Sequence, residues 1–246
     1  MPEINRHKLT FEYDGTHFSG WQRQPDERTV QGVIEGAFST LFQQKIKITG
    51  QGRTDSGVHA IGQIAHADLP ERFEEKRILY AMKGILPDDV ALLKAEKTHP
   101  EFHARFDAVS RSYSYRLLTR QSPLNRHFTW IYHGTIREDL LNESADKITG
   151  THNFINFCIP SGDEYQTTEC TITESSWQKT GEVLVYRIKG NRFLRHMVRR
   201  IVGTMVRVSD GKLKADQFEN LLSGPESMQK GQTAPAQGLV LESVEY

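Results

Sequence analysis

The chain is poor in cysteine and has no long apolar run. Cys158 and Cys170 are the two cysteines in 246 residues. That is too few for a disulfide framework or a four-cysteine metal site, so neither an oxidising compartment nor a metal is expected. No stretch approaches the roughly 18 apolar residues of a membrane span, and the opening MPEINRHK lacks an apolar signal core, which points to the cytoplasm. Ser/Gly-rich, Pro-rich and single-charge tracts are missing, so no linker or disordered segment is indicated. Neither a GxGxxG turn nor a P-loop lysine motif occurs, which leaves nucleotide-cofactor enzymes without support, and no cofactor is expected. Nor is there an excess of charge of one sign: 31 Lys and Arg balance 31 Asp and Glu, so the chain lacks the global basic footprint of many nucleic-acid proteins.

Locally the charge is uneven. Arg105, Arg111, Arg116 and Arg120 form one run, and Arg192, Arg195, Arg199, Arg200 and Arg207 form another. The hydrophobic content of 37% suffices for one large domain or two small ones sharing a core.

Periodicity predicts an α+β chain. Leu9, Phe11 and Tyr13 alternate with polar residues as in a half-buried strand, which Asp14-Gly15 ends. Val30, Val33, Ile34, Ala37, Phe38, Leu41 and Phe42 recur at helical spacing after a Thr29 cap. Strands over 46–49, 61–67 and 90–95 and a helix over 75–84 complete a first half, 1–104. The second half, 105–246, reads as strand 109–118, helix 138–148, strands 170–178 and 182–189, helices 192–208 and 214–222, and strand 239–245. The expected fold is two similar mixed α/β halves with largely antiparallel sheets in one extended core, with an active-site cleft between them.

Three segments carry candidate chemistry. Gly52 to His59 packs Arg53 and Asp55 between glycines, which would present a carboxylate from a tight turn; Asp-Ser-Gly is also ordinary turn chemistry. Ser56 with His59 is a weak nucleophile-and-base pair. In the helix expected over 192–208, Leu194, Met197, Val198, Ile201, Val202 and Met205 make an apolar stripe. Arg192, Arg195, His196, Arg199 and Arg200 make a cationic one, either solvated or facing phosphates or a carboxylate. Along 111–116, Arg111, Tyr113 and Tyr115 should share one strand face, where an aromatic beside an arginine can stack a splayed base; a core tyrosine is the alternative for either one.

Taken together, these segments resemble the tRNA pseudouridine synthase A family from about Leu9 to Tyr246. The motifs that carry the likeness are Tyr13-Asp14-Gly15, Gly20 to Gln24, Thr29 to Gly32, Gly52 to Ala60, Phe102 to Phe106, Arg111 to Tyr115, Gly150 to Phe154, Gly190 to Arg199 and Ala234 to Leu239. The resemblance implies a cofactor-free tRNA-uridine isomerase acting at one or more of positions 38, 39 and 40 of the anticodon arm, as a homodimer. It implies Asp55 as the essential aspartate, Arg53 holding the flipped nucleotide, Tyr113 stacking on the target base and Arg199 pairing with Asp55. Arg105, Arg111, Arg192, Arg195 and His196 are further expected RNA contacts. Asp55 would either attack C1′ or remove the C2′ proton, and the sequence leaves both open. This chain departs from the family pattern at Ser56, at Lys83-Gly84 and at Glu169. The competing reading is a non-catalytic RNA-binding protein with an RRM-like stacking surface on Tyr113 and Tyr115.

Overall fold

A computed structural model describes residues 4–159, 167–224, 227 and 230–246. It divides into two compact units, one formed by 1–109 with 240–246 and the other by 110–239. The sequence division at 104/105 meets a structural one at 109/110, and the last strand returns to the first unit.

The first unit is built on β1 (Ile4–Tyr13), whose Leu9, Phe11 and Tyr13 are buried while Lys8, Thr10 and Glu12 are less so, the period of a strand covered on one face. The strand pairs antiparallel with β3 (His59–Pro70) and β4 (Val90–Lys97), and β2 (Thr49–Gly50) lies antiparallel on β3. Two helices complete it, α1 (Val30–Phe42) and α2 (Glu75–Ile85). Helix α1 starts where the Thr29 hydroxyl accepts from the Gly32 N–H at 3.3 Å and stops at Gln43, which turns left-handed at φ 55°. Its Ile34 and Phe38 are fully buried, with Phe38 edge-on to Phe11 at 6.5 Å. Burial of such a ring contributes about 2–3 kcal/mol.

The strand expected over 46–49 is found only as Thr49–Gly50. Polar side chains of α1 satisfy the preceding backbone instead: Ser39 Oγ and Glu35 Oε1 accept from the Ile46 and Ile48 N–H groups, and Gln31 donates to the Ile48 carbonyl. A segment whose hydrogen bonds go to helix side chains has none left for a ladder.

The second unit centres on an antiparallel order of β5 (Ser110–Leu118), β9 (Val183–Gly190), β8 (Glu169–Thr180) and β7 (Gly150–Asn153), with β6 (Trp130–Ile131) parallel on β5. Helices α3 (Glu138–Asp146), α4 (Met197–Ser209) and α5 (Ala215–Ser223) pack with it. In its core Trp177 packs on Tyr186 at 5.1 Å and directs its ring N–H at Met205 Sδ, 3.4 Å away. Strands β6 and β7 escaped the sequence reading because two and four residues are too few to display a period. The last strand, β10 (Leu239–Glu245), pairs parallel with β3 in the first unit through Val240 and Leu241.

The helix expected over 192–208 begins five residues late, at Met197. His196 stands at φ 64°, a left-handed conformation that cannot continue a helix N-terminally. Arg192 and Leu194 therefore lie in an irregular segment, and Arg195 and His196 in a turn, so the cationic stripe is not a helix face. Only Arg199, Arg200 and Arg207 of that arginine run sit on α4. The apolar stripe holds from Met197 on, where Met197, Ile201, Val202 and Met205 are buried.

Candidate active site

In the first unit, Asp55 sits half-buried at the middle of a loop pinned on both sides. Before it, the Thr54 carbonyl accepts from the Trp21 N–H at 3.1 Å, and the Thr54 hydroxyl meets the Tyr13 hydroxyl at 2.8 Å. After it, the Asp55 carbonyl accepts from the Val58 N–H at 3.1 Å, while Ser56 Oγ and the Gly57 N–H both donate to the Phe18 carbonyl. Two glycines make this path possible. Gly57 takes φ 77°, and Gly20 takes φ 88° with so little room that a Cβ would stand 2.8 Å from the Thr54 carbonyl oxygen. Beneath the loop, the Gln51 amide donates to Gln63 Oε1 at 3.1 Å, and the Gln63 amide donates to the Gly52 carbonyl at 3.2 Å. The sequence contained both glutamines, but nothing in their spacing pointed to this brace.

Arg53 is exposed on the same loop, its Nε donating to Gln22 Oε1 at 3.1 Å, which ties it to the Trp21-Gln22 segment. Ser56 and His59 do not form a nucleophile and base. Ser56 Oγ is committed to the Phe18 carbonyl, and buried His59 accepts the Gly15 N–H on Nδ1 at 3.0 Å. Arg105 also belongs to the first unit, exposed after β4 with its guanidinium 5.7 Å from the Phe106 ring centroid.

In the second unit, Tyr113 is half-buried on β5 opposite Ile188, its ring edge-on to Phe193 at 5.1 Å. One strand position pair away, Arg111 donates to the Asn191 carbonyl at 2.7 Å. Arg111 and Tyr113 thus lie against the 191–193 segment that carries Arg192. Arg199, in the first turn of α4, donates through Nε to the Ala234 carbonyl at 2.8 Å, and the Ala234 N–H returns to the Arg199 carbonyl at 2.9 Å. Phe193 and Ala234 were present in the sequence motifs, but their roles as supports for Tyr113 and Arg199 required the fold. Arg195 is exposed and lends its carbonyl to the Ile159 N–H at 3.1 Å.

Tyr115 is a core residue: its ring is fully buried and its hydroxyl donates to the Pro235 carbonyl at 2.8 Å. Burial also raises its pKa well above the usual phenol range, although the nearby Arg199 charge opposes the shift. A two-tyrosine stacking surface is therefore overturned, and Tyr113 is the one of the pair with an exposed portion. Among the described residues no three His, Cys, Asp or Glu side chains converge as metal ligands, although His99 and His103 stand four apart. Burial pushes the Cys170 thiol up to about 11, far from a reactive thiolate.

A family model described as tRNA pseudouridine synthase matches residues 9–107 and 145–246. Three relatives named tRNA pseudouridine synthase A are each 40% identical to the chain. That of Bacillus pumilus aligns over 97% of this chain and 98% of its own length, that of Bacillus subtilis over 98% and 99%, and that of Chlorobaculum tepidum over 97% and 97%.

Proposed function

The chain belongs to the tRNA pseudouridine synthase family, and on that premise we propose that this isomerase, which converts uridine to pseudouridine in tRNA, acts at positions 38, 39 and 40 of the anticodon arm with Asp55 as its catalytic carboxylate. The observation that carries the reading is the likeness to curated relatives over nearly the whole length of both chains. The pinned loop supports the role of Asp55, because a group that must meet one atom of a substrate gains from a backbone that does not wander.

The reaction breaks the N1–C1′ bond, turns the uracil and closes a C5–C1′ bond. The C5 proton is released and N1 gains one, so composition and oxidation level are unchanged. A paired base is out of reach, so the target nucleotide leaves the stack at a cost of a few kcal/mol. We assign Tyr113 to stacking on the flipped base and Arg53 to holding the strand. Arg199 is assigned as the counter-charge to the Asp55 carboxylate. Arg111, Arg192, Arg195, His196 and Arg105 are assigned to RNA contacts around them. Asp55 either attacks C1′, giving a sugar ester, or removes the C2′ proton, giving a glycal.

We place the protein in the cytoplasm as a homodimer, for which light scattering in solution should give twice the 28.1 kDa chain mass; the single-chain mass would refute it. The principal test uses tRNA transcripts tritiated at uridine C5, with uridine kept at only one of the three positions in each. The wild type should release tritium from each transcript, while Asp55→Asn should fall by about a thousand-fold or more at unchanged tRNA affinity. Release that survives Asp55→Asn removes Asp55 from the chemistry, and a transcript that releases nothing strikes its position from the substrate range.

A further inference from the structure

The exposed side of α2 carries a cluster that the catalytic assignment does not use. Tyr80 is 81% exposed there. Lys76, Tyr80 and Lys83 follow one another at steps of four and three, and Arg77 lies three before Tyr80, so three cations surround one aromatic ring on a single helical face. The opposite side, with Ile78 and Met82, is buried and holds the helix in place. Just before the helix, Phe73 packs on Phe42 at 5.5 Å, and the guanidinium carbons of Arg72 and Arg77 lie 5.4 and 4.8 Å from its ring centroid. Stacking on an anchored ring restricts two otherwise flexible cations without using their N–H donors.

Two of the acidic side chains near α2 are already engaged, and a third stands at the helix start. Glu75 accepts the Lys97 N–H at 3.0 Å, Glu71 pairs with Lys97, and exposed Glu74 precedes the helix. Among the described residues none of Arg72, Lys76, Arg77 and Lys83 is ion-paired with a carboxylate. Like charges gathered on one face around an exposed aromatic cost stability unless a polyanion covers them. Lys83 is also one of the positions where this sequence departs from the pattern of the family it resembles.

We propose that this face of α2 docks the sugar–phosphate backbone of the tRNA substrate, with Tyr80 packed against an exposed base of the same strand. The proposal rests on tRNA being the substrate, and its occupant follows from charge complementarity: an unpaired cationic face in a chain of zero net charge, and a substrate with a phosphate at every nucleotide. An aromatic among cations is the arrangement that binds nucleic acid with little sequence preference.

The test measures tRNA affinity at several salt concentrations, together with kcat and KM, for the full chain and its variants. In K76Q/K83Q the dependence of log affinity on log salt should weaken by about 1.4, about 0.7 for each lost phosphate contact. Lys83→Glu, a single exposed change, should shift affinity in the same direction, and Tyr80→Ala should bind about tenfold more weakly with the salt dependence kept. All three should retain the wild-type kcat at saturating tRNA and the wild-type melting curve. Wild-type affinity and salt dependence in all of them would overturn the proposal. So would a change of oligomeric mass with tRNA affinity intact, which would assign the face to a protein partner. Failure of the wild type to make pseudouridine would defeat the functional reading instead, leaving tRNA binding measurable.

Discussion

The two units hold their candidate functional side chains by opposite means. In the first, hydroxyls, amides and imidazoles brace the chain around Asp55: the Thr54 and Tyr13 hydroxyls, the Gln51 and Gln63 amides, His59 accepting the Gly15 N–H and standing 3.1 Å from Asp14 Oδ1, and farther along β3 His66 accepting the Ala104 N–H at 3.1 Å. In the second, arginines donate to main-chain carbonyls, Arg111 to Asn191, Arg199 to Ala234 and Arg200 to Cys158. An imidazole nitrogen accepts a hydrogen bond only while it is unprotonated, whereas a guanidinium keeps its protons at any working pH. Acid should therefore loosen the His66 contact of the first unit and leave the arginine contacts of the second alone.

The largest way to break this contrast is at the loop itself. Gly20→Ala puts a Cβ against the Thr54 carbonyl in a conformation alanine resists, so we expect about 3 kcal/mol lost in urea melts and about a hundred-fold in kcat by tritium release. A variant with full kcat would show that the loop need not be held so closely.

Next comes the pH dependence. Burial, aided by the Arg6 and His103 charges, lowers the His66 pKa to about 4, and burial lowers that of His7 as well. A histidine with a depressed folded pKa binds its proton more readily when unfolded. Its contribution is thus present above the unfolded value near 6.5 and is lost as pH falls towards 4, amounting to about 3 kcal/mol for His66. Urea melts from pH 7 to pH 4 should show this decline, and His66→Gln should flatten it; an equally steep decline in the variant would locate the acid sensitivity elsewhere.

The smallest effect sharpens the second unit. His196→Gly relieves a left-handed backbone and should raise stability by about 1 kcal/mol. If His196 contacts RNA, KM should rise at the same time. A more stable variant with unchanged KM would reduce His196 to a turn residue.

Much of this was legible in the residues. The Thr29 cap and the apolar spacing after it located α1 to the residue, and the alternation of Leu9, Phe11 and Tyr13 located the heart of β1, because both signals are local. Asp55 between glycines and Arg53 beside it were visible for the same reason. The residues before α4 misled because Arg192 to His196 continue a helical spacing that a single positive φ at His196 interrupts, and spacing does not report φ. Tyr113 and Tyr115 were equivalent in sequence, two positions apart on one face. What separates them is a pair of distant neighbours: Pro235 accepts the hydroxyl of one, and Phe193 abuts the ring of the other.

The sequence by itself determined the family, the α+β class and the identity of the candidate carboxylate, since these rest on residue type, order and short-range period. The tertiary structure alone decided which tyrosine is core, where the second arginine run becomes helical and what pins the Asp55 loop. Each of those depends on hydrogen bonds and packing between residues far apart in the chain, whose register no local pattern encodes.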